Sequence, residues 1–223
     1  MQDKPLFNTQ NASVGTAVEV NKVLRNTYLL LSLTMVFSTI TAAASVAVGL
    51  GRGPALVMSL AALGLIFFAL PRTQNSSAGL LVVFAFTGLI GGSLGPMLNS
   101  YLGLANGPAL IMQALGGTAV VFFGLSGYAV TTRKDFSFMG GFLMVGLLVM
   151  IVAMIANLFF QIPAMSLAIS AGIVLIMSGL ILFDTSRIIN GGETNYIRAT
   201  VALYLNIVNL FTSLLHLLGA MDD

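Results

Sequence analysis

The chain contains no cysteine and only one histidine. Without cysteine it can form no disulfide, perform no thiolate chemistry and offer no sulfur ligand to a metal. A single histidine is too few for a His-rich metal site. Disulfide frameworks and Cys-based metal sites are therefore excluded. The absence of cysteine does not indicate whether the protein's compartment is oxidising or reducing.

Charged residues are also scarce. They make up 7% of the 223 residues, against about 25% in a typical soluble domain. Hydrophobic residues make up 57%, and the mean hydropathy is +1.00. A soluble domain of this size cannot bury so much apolar surface, so the composition predicts an integral membrane protein with the lipid bilayer as its partner. The formal net charge of +2 argues against nucleic acid as a partner.

Catalytic motifs of the metalloprotease and nucleotide-binding kinds are missing. The sequence has no H-E-x-x-H and no P-loop. An intramembrane protease needs a Ser/His pair or paired aspartates, whereas only one carboxylate lies inside an apolar run. We therefore expect no enzyme activity, no catalytic residue and no cofactor.

Seven apolar runs are long enough to cross a bilayer, which takes about 20 residues each. The runs are continuous rather than alternating, which favours helices over a barrel. A polar N-terminal tail (1–27) precedes this domain (28–218), and a short tail (219–223) follows it. We predict an all-α membrane protein with two three-helix groups around the seventh helix, its spans being 28–50, 54–70, 78–98, 108–130, 139–160, 164–189 and 199–218.

The distribution of Lys and Arg predicts the orientation. If the N-terminus is cytoplasmic, eight of the nine basic residues lie on the cytoplasmic side and only Arg52 lies outside. This distribution favours seven spans with the C-terminus outside. A six-span arrangement with a re-entrant last segment is the alternative.

The third span contains two pairs of glycines at four-residue spacing, Gly88/Gly92 and Gly91/Gly95. Glycines four residues apart share a helix face and let another helix approach closely. We therefore predict tight helix packing here, with Pro96 bending or ending the helix. An ion site between half-helices is the alternative.

The last span carries a polar stripe of Asn206, Asn209, Ser213 and His216, at offsets of 0, 3, 7 and 10 residues. This spacing is typical of one helical face. Because a polar face in a membrane must contact protein or water, we expect this helix to be central. Two interpretations remain open: the stripe holds the bundle together, or it lines a pathway.

Asp184 is the one acidic residue inside an apolar run, where a charge costs about 3 kcal/mol. It lies five residues, about 7–8 Å, from the cytoplasmic end of span six. Asn206 lies seven residues, about 10–11 Å, from the cytoplasmic end of span seven. Consecutive antiparallel helices with a short loop are neighbours, so we predict that Asn206 is the partner of Asp184.

Residues 86–123, FTGLIGGSLGPMLNSYLGLANGPALIMQALGGTAVVFF, resemble the Bax inhibitor-1 (transmembrane Bax inhibitor motif) family. The segments NKVLRNTYLLLSLT, GYAVTTRKDFSFMGG and FDTSRIINGGETNYIRATVALY are similar to its proteobacterial YccA branch. The likeness covers about residues 20–218. The motif positions are Gly95, Pro96 and Leu98, then Ala114, Thr118, Ala119, Val120, Val121 and Phe122.

The resemblance implies a seven-helix fold with a central last helix in a bacterial inner membrane, and the charge distribution then places the C-terminus in the periplasm. The YccA branch is associated with the FtsH membrane protease, as a slow substrate and modulator engaged through its cytoplasmic tail. Calcium-leak relatives use two aspartates, on the last two helices, as a proton-sensitive latch. Asp184 matches the first of these positions, and Asn206 stands at the second.

Two hypotheses follow. The favoured one is an inner-membrane protein that binds and modulates an FtsH-type protease. The alternative is a pH-sensitive leak for calcium or protons gated around Asp184 and Asn206, with Asn209, Ser213 and His216 lining the pathway. The missing second carboxylate predicts weaker calcium binding and a less sharp pH response, and it leaves Asp184 as the one candidate metal ligand. A purely structural stress-response protein is the third reading.

Overall fold

The computed structural model describes residues 8–222, with side chains from residue 18 onward. This part of the chain contains seven helices that are long and apolar enough to cross a membrane. The predicted all-helical, seven-span fold is confirmed. The helices are α1 (Asn8–Ala47), α2 (Arg52–Thr73), α3 (Ala78–Leu102), α4 (Gly107–Thr132), α5 (Gly140–Phe160), α6 (Pro163–Ile189) and α7 (Tyr196–Asp222).

Two predicted boundaries shift. Helix α1 continues on the N-terminal side of residue 28, where Val23 and Leu24 pack against the core. At the other terminus α7 continues through residues 219–222, so the predicted short tail is helical as far as Asp222. Residues 1–7 of the predicted N-terminal tail and residue 223 lie outside the described residues. The six-span alternative is wrong, since α7 is one continuous helix of 27 residues.

Two of the seven helices are irregular. A π-helical turn, Leu65–Ala69, interrupts α2 just before Pro71. Helix α3 breaks after Ser93 and restarts at Gly95, with Pro96 in the first turn of the second half. Proline has no N–H to donate and is tolerated in a first turn, so Pro96 ends the first half as predicted.

Helix α7 lies at the centre of the bundle. It packs against α6, α4 and α1, and more lightly against α3. Its side chains Leu203, Tyr204, Leu210 and Leu215 are fully buried. Helices α1–α3 form one packed group and α4–α6 form another, with α7 between them. The predicted central last helix and its two three-helix groups are therefore present.

The loops at one end of the bundle contact one another. Asn195 Nδ2 donates to Gln74 O at 2.9 Å and to Asn75 Oδ1 at 2.8 Å. Ser186 Oγ donates to Lys134 O at 3.0 Å. We call this end the basic end, because all the described Lys and Arg residues except Arg52 lie there: Lys22, Arg25, Arg72, Arg133, Lys134, Arg187 and Arg198.

Candidate functional site: the Asp184–Asn206 pair

Asp184 and Asn206 are in direct contact between α6 and α7. Asn206 Nδ2 donates to Asp184 Oδ2 at 2.8 Å. The Asn206 side chain is 6% exposed, and Thr185 and Ser186, which follow Asp184, are fully buried. The contact inferred from helix depth is thus present, and the carboxylate has a donor in a region where water is scarce.

A chain of hydroxyl groups starts at the residue next to Asp184. Thr185 Oγ1 lies 3.3 Å from Ser126 Oγ on α4, which is hydrogen-bonded to Tyr28 Oη on α1. Three helices therefore meet through hydroxyl groups beside the pair. The sequence analysis did not predict Thr185 or Tyr28 as site residues. The one local signal for Thr185 was its position directly after the embedded aspartate.

Three charged residues lie on the basic-end side of Asp184, namely Arg187, Glu193 and Arg198. Arg187 and Glu193 are near enough to act on its carboxylate electrostatically. The Arg187 guanidinium nevertheless lies 5.5 Å from the centre of the Phe183 ring and donates to Gly192 O at 3.2 Å. Glu193 forms an ion pair with Arg198 at 3.2 Å. Asn206 is therefore the direct hydrogen-bond partner of Asp184, and the cations have partners elsewhere.

The polar stripe of α7 does not occupy one buried face. Asn206 and Ser213 are buried, whereas Asn209 and His216 are exposed. At about 100° per residue, Ser213 is about 20° from Asn206, but Asn209 and His216 are turned away by about 60° and 80°. The neighbouring helices therefore cover Asn206 and Ser213 but leave Asn209 and His216 at the surface. Whether the four residues line a pathway stays a prediction.

The two exposed members of the stripe have local partners. Asn209 Nδ2 donates to Leu205 O of its own helix at 2.9 Å. His216 Nδ1 lies 2.9 Å from Ser170 Oγ on α6, at the end of the bundle opposite the basic end. His216 also borders a shallow pocket with Asn157 and Gln161. His216 and the Asp184 pair are thus separate polar features of the α6–α7 interface.

The glycines of α3 lie in close contact with neighbouring helices. A Cβ atom at Gly88 would lie 2.7 Å from Phe37 Cε1, and one at Gly91 would meet Ser38 and Thr41. A Cβ atom at Gly95 would meet Ser45, and one at Gly92 would meet Met58. The contacts at Gly88, Gly91 and Gly95 hold α3 against α1, and that at Gly92 holds it against α2, in agreement with the packing interpretation.

The same glycine segment, GGSLG at residues 91–95, fits the G-x-S-x-G spacing of hydrolase nucleophiles. That motif acts at a sharp strand-to-helix turn which exposes the serine. Here Ser93 closes the first half of α3, and its Oγ donates to Ile90 O of the same helix at 2.7 Å. The structural context of a nucleophile is therefore lacking at Ser93.

A second buried polar contact joins α7 to both α1 and α3. Tyr204 Oη lies 2.6 Å from Ser38 Oγ and donates to Thr87 O at 3.1 Å. Its ring packs edge-on against Phe86, with ring centres 5.5 Å apart. Sequence reasoning missed this contact, although a tyrosine inside an apolar helix usually needs a partner for its hydroxyl.

Within residues 18–222, whose side chains are described, no three His, Asp or Glu side chains lie together as a metal site would require. The Asp184 pair offers one carboxylate and one amide. Calcium takes six to eight oxygen ligands, usually with several negative charges. The pair by itself is therefore suited to holding a proton or a hydrogen bond better than to binding a divalent cation.

Comparison with known proteins identifies the relatives of this fold. The chain is 55% identical to an uncharacterised membrane protein of Vibrio cholerae, over 98% of both chains. It is 54% identical to the modulator of FtsH protease YccA of Escherichia coli, over 91% of both chains. An uncharacterised protein of Pseudomonas aeruginosa is 50% identical over 94% of both chains.

Family membership follows from a broader match. Residues 20–223 match the sequence model of the family described as "Inhibitor of apoptosis-promoting Bax1". The match covers α1 from residue 20 onward, all of α2–α7, and both residues of the Asp184–Asn206 pair. The chain is a member of the Bax inhibitor-1 family.

Proposed function

We propose that this protein binds and modulates an FtsH-type protease in the bacterial inner membrane, and that it is not itself an enzyme. The observation that carries the proposal is the 54% identity, over 91% of both chains, to the protein named modulator of FtsH protease YccA. A second relative with this level of identity is named an inner membrane protein. Such identity over nearly the whole length favours a shared role.

The N-terminal segment is the proposed contact with the protease. Residues 1–17 lie N-terminal to the candidate span Val18–Ala47, in which Val23 and Leu24 pack against the core. Most basic residues lie at the basic end, from which α1 starts, and the positive-inside rule assigns such an end to the cytoplasm. The proposal therefore has a cytoplasmic N-terminus and a periplasmic C-terminus.

The experiment measures protease binding and substrate turnover in reconstituted membranes. We compare the full chain, a variant without residues 1–17, and a control in which residues 2–17 are shuffled. Residues 18–223 are unchanged in both variants, so the part of α1 from Val18 onward and all of α2–α7 are kept. The proposal predicts that the full chain binds the protease and slows turnover of a membrane substrate, and that both effects are lost in the shortened and shuffled chains. If the full chain neither binds the protease nor changes turnover, the proposal is wrong.

The second candidate function is a cation or proton leak gated around Asp184 and Asn206. One observation favours it: a carboxylate inside a membrane helix holds a single amide hydrogen bond to the central helix. Protonation of Asp184 would weaken that bond. The pair contains one titrating group, so the expected pH response is that of a single carboxylate, with Arg187 and Glu193 as nearby charges.

Flux of protons and calcium into liposomes across pH tests the leak. Asp184→Asn should abolish the pH dependence, and Asn206→Asp should sharpen it because two carboxylates would share the site. Glu193→Gln, which removes a neighbouring charge outside the membrane-spanning helices, is the comparison variant and should keep a pH dependence because Asp184 still titrates. A flux and pH profile that are the same in Asp184→Asn and in the unaltered protein would give Asp184 a structural role alone.

A further inference from the structure

An elongated apolar groove lies between α1 and α4. Its volume is about 680 Å³, and Ile207, Val208 and Phe211 of α7 are part of its lining. The groove opens toward the outside of the bundle, because Phe123 and Leu115 in its lining are 69% and 51% exposed. At the basic-end side its two walls meet, where Tyr28 Oη is hydrogen-bonded to Ser126. The opening therefore faces the apolar part of a bilayer.

The hydroxyl groups of the lining are occupied within the protein. Ser32, Thr39 and Thr118 donate to backbone carbonyls of their own helices at 2.7–2.8 Å. Ser38 is bonded to Tyr204, and Tyr28 to Ser126. The rest of the lining is aliphatic, Met or Phe. The wall therefore suits hydrocarbon, and it offers little to a ligand that needs hydrogen bonds within the groove.

The dimensions of the groove favour a thin chain over a helix. It follows α1 from Tyr28 to Ala47, about 28 Å at 1.5 Å per residue, close to the thickness of a bilayer's hydrocarbon core. A helix of that length and about 10 Å diameter fills roughly 2,200 Å³, which exceeds the roughly 1750 Å³ of empty space in and around the groove. An acyl chain is flexible and narrow enough to lie along it.

Positive charge borders the groove at the basic end. Arg25 precedes Tyr28 by about one helical turn on α1, and Arg133 follows directly after the last residue of α4, seven residues beyond Ser126. Both arginines are exposed. Basic residues between membrane helices on the positively charged side are typical binding positions for anionic lipid headgroups. An apolar groove with arginines at one end is therefore complementary to a lipid with an anionic headgroup.

We propose that the groove between α1 and α4 binds an acyl chain of an anionic glycerophospholipid whose phosphate lies beside Arg25 and Arg133. Along the groove, α1 and α4 are separated by this space. A bound lipid would fill the space and would thereby stabilise the position of α1 against the α4–α6 group. The proposal is independent of protease binding, since it concerns the side of the bundle and not the N-terminal segment.

Native mass spectrometry of the full chain in detergent tests the proposal, with dioleoyl phosphatidylglycerol as the probe and dioleoyl phosphatidylcholine as its neutral counterpart. Ala43 lies in the lining and Ala44 does not, and both are exposed. Ala43→Phe should fill the groove and reduce bound phosphatidylglycerol by about ten-fold. Ala44→Phe, the matched control, should retain it.

A second variant, Ala119→Phe, fills the groove from the α4 side. It tests the proposal independently if Ala43→Phe fails to fold. Arg25→Gln should lower the preference for phosphatidylglycerol over phosphatidylcholine while keeping the groove open. Equal lipid retention in Ala43→Phe, Ala119→Phe and Ala44→Phe would overturn the proposal. Equal binding of the two lipids by the unaltered protein would overturn the role of the arginines.

Discussion

Asn206 on the central helix donates a 2.8 Å hydrogen bond to the Asp184 carboxylate on the preceding helix. This bond links the one acidic residue inside an apolar run to the most buried helix of the bundle. Both possible roles, a structural bond and a gate, depend on it. The first prediction therefore concerns its strength.

Asn206→Ala should destabilise the protein by about 1–2 kcal/mol, because it leaves the half-buried Asp184 carboxylate without its donor. Thermal unfolding in a mild detergent measures the effect. Asn209→Ala is the control, since Asn209 is exposed and bonds to its own helix backbone. Equal stability of the two variants would mean that Asp184 finds another donor.

Gly91→Ala should separate α3 from α1. The added methyl group would overlap Ser38 and Thr41, and overpacking of this kind costs about 1–3 kcal/mol. Gly124→Ala on α4 is the matched control, because a Cβ there meets nothing within 4 Å and alanine favours a helix by about 1 kcal/mol. The two substitutions should change the unfolding temperature in opposite directions. A stabilising Gly91→Ala would contradict the close contact.

Tyr204→Phe should cost about 1 kcal/mol. The change keeps the ring against Phe86 but removes the hydroxyl that bonds Ser38 and the Thr87 carbonyl. Tyr128→Phe, at an exposed position, is the control and should leave the free energy of unfolding unchanged within about 0.5 kcal/mol. Equal effects of the two substitutions would show that the Tyr204 hydroxyl contributes nothing measurable.

Asn195→Ala should loosen the loops at the basic end. Asn195 Oδ1 accepts from Ile197 N at 2.9 Å and from Arg198 N at 3.1 Å, which caps the start of α7. Its Nδ2 holds the loop between α2 and α3. Loss of the cap costs about 1 kcal/mol, and amide exchange at Gln74 and Asn75 should become faster.

Asn75→Ala is the partial control for that change. It removes one acceptor of Asn195 and leaves the α7 cap intact. Amide exchange should then rise in the α2–α3 loop but stay unchanged at the start of α7. A rise at both places would mean that the cap depends on the loop contact.

The amide–carboxylate contact was predictable because helix depth follows from residue count. Each residue adds about 1.5 Å, and consecutive helices joined by a short loop are adjacent. The hydroxyl chain from Thr185 to Tyr28 was not predictable in this way. Those residues belong to helices far apart in sequence, and only packing brings them together.

The division of the α7 stripe shows the same limit. A spacing of 0, 3, 7 and 10 residues spreads over about 80° of the helix, and neighbouring helices decide which part of that arc is covered. Ser213 is buried with Asn206, whereas Asn209 and His216 are at the surface. Their exposure depends on where α6 and α4 lie against α7, which no local pattern records.

The sequence by itself determined the class of the protein, its seven helices and the family to which it belongs. Run length, charge distribution and glycine spacing act through the bilayer and through single helices, so they can be read locally. Tertiary structure alone decided the rotation of α7, the Tyr204 contact with Ser38 and Thr87, and the groove between α1 and α4. These features depend on how side chains of distant helices fill shared space, which is a property of the whole bundle.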